Sequence, residues 1–168
     1  MKFKKIVISA LLAALLLLPM AALGDTAQPE IKYYDLADGE LVEKSIPNAA
    51  VASYVTVTSG TTAFEDGAWY VVKGCVTVES RIENRGNAHL ILTDGSSLTV
   101  KGGIHNPPGK ELSVYGQTNG TGNLLIEGVA ENAAGIGGSA WEGGGNVSIN
   151  GGTVNVTGGA NSAGIGGG

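Results

Sequence analysis

A unit occurs twice in the last third of the chain, and that repetition limits what the whole can fold into. Ala134-Gly135-Ile136-Gly137-Gly138 returns as Ala163-Gly164-Ile165-Gly166-Gly167, a period of 29 residues (164 − 135). Between the copies lie residues 146–150 and 153–157, two short alternating segments, each closed by a glycine pair. A fixed period built from strand and turn marks a solenoid. One such unit cannot bury its own apolar face and must stack on the next.

The same alternation runs back to Val51. Tyr54-Val55-Thr56-Val57-Thr58, Trp69-Tyr70-Val71-Val72, Val76-Thr77-Val78, Ala88-His89-Leu90-Ile91-Leu92, Leu98-Thr99-Val100, Leu112-Ser113-Val114 and Leu124-Leu125-Ile126 are short β-branched or apolar runs bounded by Gly, Asn, Asp or Pro. Residues two apart in a strand share a face. The expected inward pairs are therefore Val76/Val78, Leu90/Leu92, Leu98/Val100, Leu112/Val114, Leu124/Ile126, Val147/Ile149 and Val154/Val156. From 76 to 98 and from 90 to 112 is 22 residues, and from 124 to 147 is 23, distances that suit one coil of a parallel β-helix. An antiparallel sandwich also accommodates short strands at this spacing. The exact repeat and the recurring glycine bends at 135–138 and 143–145 favour the helix. With 28 glycines reading as turns and no helical period after the N-terminal segment, the expected fold is all-β. It is a right-handed parallel β-helix (β-solenoid) over residues 51–168.

The N-terminus carries Lys2, Lys4 and Lys5, a 13-residue apolar run from Ile6 to Leu18, then Pro19 and a small-residue exit at Ala22-Leu23-Gly24. This reads as a signal-peptide helix over residues 1–24. The run is shorter than the ~20 residues needed to span a bilayer, so no membrane insertion is expected after cleavage. Residues 25–50, polar and with an Asp38-Gly39 turn, read as a linker or a loosely attached N-terminal strand. Beyond the signal peptide, 7 basic residues face 15 acidic ones, a balance of −8 (7 − 15) that disfavours nucleic acid. Cys75, the single cysteine, excludes an intramolecular disulfide and reads as a small buried strand residue. Because the chain stops at Gly168 inside a repeat with no capping segment, it is expected to be the N-terminal part of a longer protein, truncated in its β-helix, with further domains after Gly168.

Trp69-Tyr70-Val71-Val72, His89-Leu90-Ile91-Leu92-Thr93-Asp94-Gly95, Tyr115-Gly116-Gln117, Gly120-Thr121-Gly122 and the paired Ala-Gly-Ile-Gly-Gly units together resemble a known group. They look like the glycine-rich β-helical surface proteins of anaerobic gut bacteria, often labelled carbohydrate-binding-domain-containing proteins. The resemblance spans residues 51–168. It implies a secreted or wall-associated, non-catalytic β-helix, often one part of a large modular protein, and it maps no ligand or binding residue. Asn106-Pro107-Pro108 departs from the pattern.

A polysaccharide lyase or hydrolase would need clustered carboxylates. Residues 132–168 hold one acid, Glu142, while Asp94, Glu111 and Glu127 sit on separate segments. Arg81, Arg85 and His89 read as a solvated face. No Asp follows Gly135-Ile136-Gly137-Gly138, so the calcium β-roll pattern fails, and Gly109-Lys110 lacks the rest of a P-loop. No catalytic residue, metal ligand or cofactor is therefore assigned. Carbohydrate recognition needs an exposed aromatic, and two residues qualify. Trp141 sits in a glycine-flanked insertion between repeat strands, where it either projects to stack on a sugar or, the favoured expectation, folds over the coil end to shield apolar surface; Tyr115 follows the inward Val114 and should point outward. Trp69 and Tyr70 read as a cap over the first coil. The expectation is a secreted, cell-surface β-solenoid that binds polysaccharide or another glycan without catalysis. The alternatives are a structural stalk or adhesin segment and, behind it, a pectate-lyase-like enzyme.

Overall fold

The computed structural model describes residues 30–46 and 54–168; the expected signal peptide and the expected domain start at Val51 lie outside them. Within these residues every regular element is a strand. The described residues open with an antiparallel hairpin of β1 (Lys32–Ala37) and β2 (Glu40–Ser45), and their remaining strands form three parallel sheets. The first sheet holds β3 (Val55–Thr56), β5 (Trp69–Val72), β8 (Asn87–Leu92), β11 (Glu111–Tyr115) and β14 (Asn146–Ile149). The second holds β6 (Cys75–Val78), β9 (Ser97–Lys101), β12 (Asn123–Glu127) and β15 (Thr153–Val156). In the third lie β4 (Ala63–Phe64), β7 (Ile82–Asn84), β10 (Ile104–His105), β13 (Ile136–Gly137) and β16 (Ile165–Gly166). From β5 onward the chain visits the first, second and third sheets in turn, then starts again. Parallel pairing rules out the antiparallel sandwich and is compatible with a β-helix or solenoid-like fold.

Side-chain stacking explains why such short strands hold. In the second sheet Val76, Leu98, Leu124 and Val154 are register partners in turn, with Val78, Val100, Ile126 and Val156 beside them. Strands about 4.8 Å apart place these aliphatic groups in contact along a ladder. The third sheet contributes Ile82, Ile104, Ile136 and Ile165 in register, with Phe64 of β4 beside Asn84. Leu90, Leu92, Leu112 and Val114 supply the first sheet's share, and all three ladders meet in one core.

Some expected registers hold and others shift. Val76 lies beside Leu98, and Ile136 beside Ile165, as their spacings predict. Leu90 pairs with Val114 instead of Leu112, a slip of two residues that keeps the same face inward. The expected alignment of Leu124 with Val147 is wrong, because Leu124 pairs with Val154 and Val147 with Leu112. The third-sheet strand β13 intervenes between them. Of the inward pairs, Ile149 is 45 % exposed, since β14 is the outermost strand of its sheet. Cys75 is exposed at the start of β6, not buried as its residue type suggested.

Polar groups hold the corner between the third and first sheets. Asn84 Nδ2 donates to Asn106 Oδ1 (2.7 Å) and to Glu111 O (3.0 Å), and Asn106 Nδ2 donates to Asn146 O (2.9 Å). Both side chains are buried. The departure at Asn106 thus marks a buried amide ladder that satisfies backbone carbonyls at successive turns. The segment expected as linker or loose strand contains the hairpin, whose Asp38 and Gly39 both have left-handed φ (51° and 86°), the geometry of a two-residue type I′ turn.

Candidate functional site

Trp141 is 98 % exposed, the most exposed large apolar residue described. It lies in the loop between β13 and β14, at the third position of a turn closed by Glu142 N–H donating to Ser139 O (2.9 Å). Its φ is +63°. The turns 130–133 and 159–162, closed in the same way, carry Asn132 (φ +59°) and Asn161 (φ +63°) at that position. Asparagine tolerates left-handed backbone, whereas for a bulky side chain it costs on the order of 1 kcal/mol. Trp141 therefore bears a backbone cost, and no apolar packing offsets it.

The turn is tied down on both sides. Glu142 Oε2 accepts from Ser139 N (3.1 Å) and faces His105 Nε2 at 2.8 Å. His105 stands on β10, and its Nδ1 faces Glu83 Oε2 on β7 at 2.6 Å. The imidazole bridges a carboxylate of its neighbouring strand and one from the Trp141 turn. Burial lowers the His105 pKa, but the hydrogen bonds and charges of Glu142 and Glu83 outweigh it and hold the ring above its ordinary value. Glu142 is correspondingly held below the usual carboxylate range, first by its hydrogen bond to His105, then by the Ser139 N–H.

Arg81, just before β7, fixes the backbone beneath the turn. Nη1 donates to Gly102 O (3.2 Å) and Ala134 O (3.3 Å), and Nη2 to Gly137 O (3.2 Å) and Gly138 O (3.3 Å). One side chain thereby links three successive passes through the third corner. Burial pulls its pKa down, opposed by Glu83 and Glu142. Gly137 (φ +145°) lies directly beside Gly166, and a Cβ there would collide with the Gly166 carbonyl oxygen, so the repeat's glycines permit close stacking.

Tyr115 occupies a different face. Its side chain points outward from β11, as alternation predicts, but it is only 6 % exposed because the hairpin lies over it. The Tyr33 ring sits 4.7 Å from Tyr115 and 4.9 Å from Trp69, and Trp69 stacks on His89 at 4.2 Å with the planes 16° apart. Gln117 Nε2 to Lys32 O (2.8 Å) and Tyr34 N to Gly116 O (3.0 Å) complete the docking. Burial lowers the His89 pKa and raises that of Tyr115, and His89 Nδ1 lies 3.2 Å from the Tyr115 hydroxyl. Trp141 shares no ring contact with this cluster, so the two sequence-selected aromatics belong to separate surfaces.

Trp69 is thus under the hairpin, not an end cap, while Tyr70 is buried inside against Phe64. Asp94 accepts from the Asn119 and Thr121 backbone N–H groups (3.0 and 3.3 Å) and from both side chains, a loop lock between two turns. His105, Glu83 and Arg81 were not singled out as a unit from sequence. Their shared period of about one coil, 83 to 105 on neighbouring strands, was the available signal. Among the described residues no group of three His, Cys, Asp or Glu is placed to hold a metal ion. No family model, curated protein or solved structure matches this chain.

Proposed function

We propose that the chain is a secreted, cell-surface right-handed parallel β-helix that binds polysaccharide through Trp141 without catalysis. The observation that carries the reading is Trp141 itself, an indole fully presented to solvent on a turn whose backbone conformation disfavours it. Strain retained without packing gain points to a role in contact with something else. An indole face stacks on the apolar face of a sugar ring, and the adjacent Glu142 offers an acceptor for hydroxyls. The cyclic three-sheet order and the strong right-handed preference of parallel crossovers support the handed β-helix. The basic, apolar and small-residue pattern of residues 1–24 supports export. So does the likeness to glycine-rich β-helical surface proteins, which remains part of the proposal.

Absence of catalysis is proposed because the His105 ring fills the space between Glu83 and Glu142. A glycosidase pair would need that space for the glycosidic oxygen and water. The second reading, a stalk segment, is favoured by the outer face of the second sheet. There Ser97, Asn123 and Thr153 follow one another, and Thr77, Thr99 and Asn155 form a second small-polar row interrupted by Leu125. Pull-down of the protein on a panel of insoluble polysaccharides separates the two. Retention on one polymer, reduced at least tenfold in Trp141→Ala, is the expected result; no retention on any polymer would leave the stalk.

A further inference from the structure

We propose that His105 is a positioning residue, a protonation-dependent latch that fixes the Trp141 turn to the third sheet and releases it as pH rises. Geometry carries this. Both ring nitrogens face carboxylate oxygens, Nδ1 to Glu83 Oε2 (2.6 Å) and Nε2 to Glu142 Oε2 (2.8 Å). A carboxylate can only accept, and a neutral imidazole has one N–H. Both contacts are hydrogen bonds only when the ring is an imidazolium. Deprotonation leaves one nitrogen lone pair against a carboxylate oxygen, which is repulsive.

The two contacts differ in what they hold. Glu83 stands on a strand paired in register with β10, so that contact joins elements already fastened by backbone bonds. Glu142 stands in the loop 138–145, next to Trp141, and its carboxylate is the side-chain tie from the turn to the sheet. Loss of the Nε2 contact therefore acts on the turn. Arg81 is the other charged group there: it faces both glutamates and holds Gly137 O and Gly138 O. It keeps β13 in place, and the Gly168 N–H stays on Glu142 O (3.0 Å), while the rest of the turn gains freedom. The release is local.

The sign follows from the ring's environment. Its two carboxylate neighbours outweigh burial and lift the pKa above the ordinary 6.5. A group whose pKa is raised on folding contributes fully below its ordinary value and loses that contribution as pH rises through the raised one. The turn is latched below the ring's ordinary value and loosens as pH rises through the raised one. As a statement about function this rests on Trp141 being the glycan contact; as a statement about the turn it stands alone.

The test is a nuclear magnetic resonance titration of the purified protein without sugar. His105 ring shifts give its midpoint, and 15N relaxation of residues 139–143 and of the Trp141 indole gives mobility in the same samples. Mobility of the turn should rise with the His105 midpoint, and Glu142→Gln should lower that midpoint by about one unit. In His105→Gln the turn should be mobile throughout, with no pH response. A turn whose relaxation stays flat while His105 titrates, or a midpoint unmoved by Glu142→Gln, overturns the latch. Because no sugar is present, that failure leaves the glycan reading untouched. Conversely, a pull-down with no retention would remove the glycan role and leave the latch standing. If both hold, retention falls as pH rises through the His105 midpoint in wild type and is pH-independent in His105→Gln.

Discussion

Arg81 shows how much a single polar side chain contributes where strands are two residues long. Third-sheet strands such as β10, β13 and β16 make few ladder bonds of their own, and their flanking carbonyls must find donors elsewhere. Gly102 O and Ala134 O are of this kind, and they converge on one guanidinium with Gly137 O and Gly138 O, which also accept from Asn106 N and Ala134 N. The planar fork suits this convergence, and a lysine ammonium cannot reach the same four oxygens at once. Arg81→Met keeps the stem's packing and removes every donor, so it should lower the unfolding free energy by about 2–4 kcal/mol. Arg81→Lys should recover less than half of that. Urea unfolding of the three proteins tests this; equal stability of Arg81→Met and wild type would show that water serves these carbonyls as well.

At the scale of elements the hairpin stands apart. It is antiparallel, its β2 strand is almost wholly exposed, and β1 buries one side chain, Tyr33, against the aromatic row of Trp69, His89 and Tyr115. A two-stranded hairpin is marginal alone, so its position depends on that docking. Tyr33→Ala should undock it while the three sheets stay folded. The chain has two tryptophans, and Trp141 is already in solvent. In a Trp141→Phe background the emission of Trp69 should therefore shift red and become quenchable, with little change in the sheets' unfolding midpoint. Unchanged emission would mean that Ile31 and Ile46 hold the hairpin without the ring. The same variant uncovers Tyr115, the residue that alternation picked as an outward aromatic.

What could be read from sequence follows strand length. Strands of four to six residues, such as β8, β9, β11 and β12, show two or more alternations and were located within a residue or so, with their inward pairs. All five third-sheet strands escaped, because two or three residues show no period. Ile136 and Ile165 were visible only as the centres of glycine-rich bends. Missing that sheet is what misplaced Leu124 against Val147. It also hid the site, since Glu83 and His105 lie on third-sheet strands and Arg81 and Glu142 on the segments flanking them. Tyr115 failed differently: its direction was right, but the cover came from Tyr33, 82 residues earlier (115 − 33), which no local pattern reports.

Across the whole molecule each strand of the three sheets pairs only with strands of the neighbouring passes, so stability should vary along the stack. Inner ladder members Leu90, Leu98, Ile104, Leu112, Leu124 and Ile136 are fully buried, whereas Val147, Val154 and Val156 are half-covered and Ile149 and Ile165 are exposed by more than two-fifths. Apolar burial at about 25 cal/mol per Å² is thus smallest in the pass formed by β14, β15 and β16. Within the 168 residues that pass has strand partners on one side only. Residues 143–168 carry no charged side chain, so no ion pair compensates. Amide hydrogen exchange on the 168-residue chain should accordingly be slowest in β8, β9, β11 and β12 and faster by at least tenfold in β14–β16. Leu98→Ala should cost about 2–5 kcal/mol, against less than about 1.5 for Val154→Ala at the equivalent rung. A single global exchange rate for all three sheets would contradict this gradient, since it requires the stack to open as one unit instead of from the β14–β16 side.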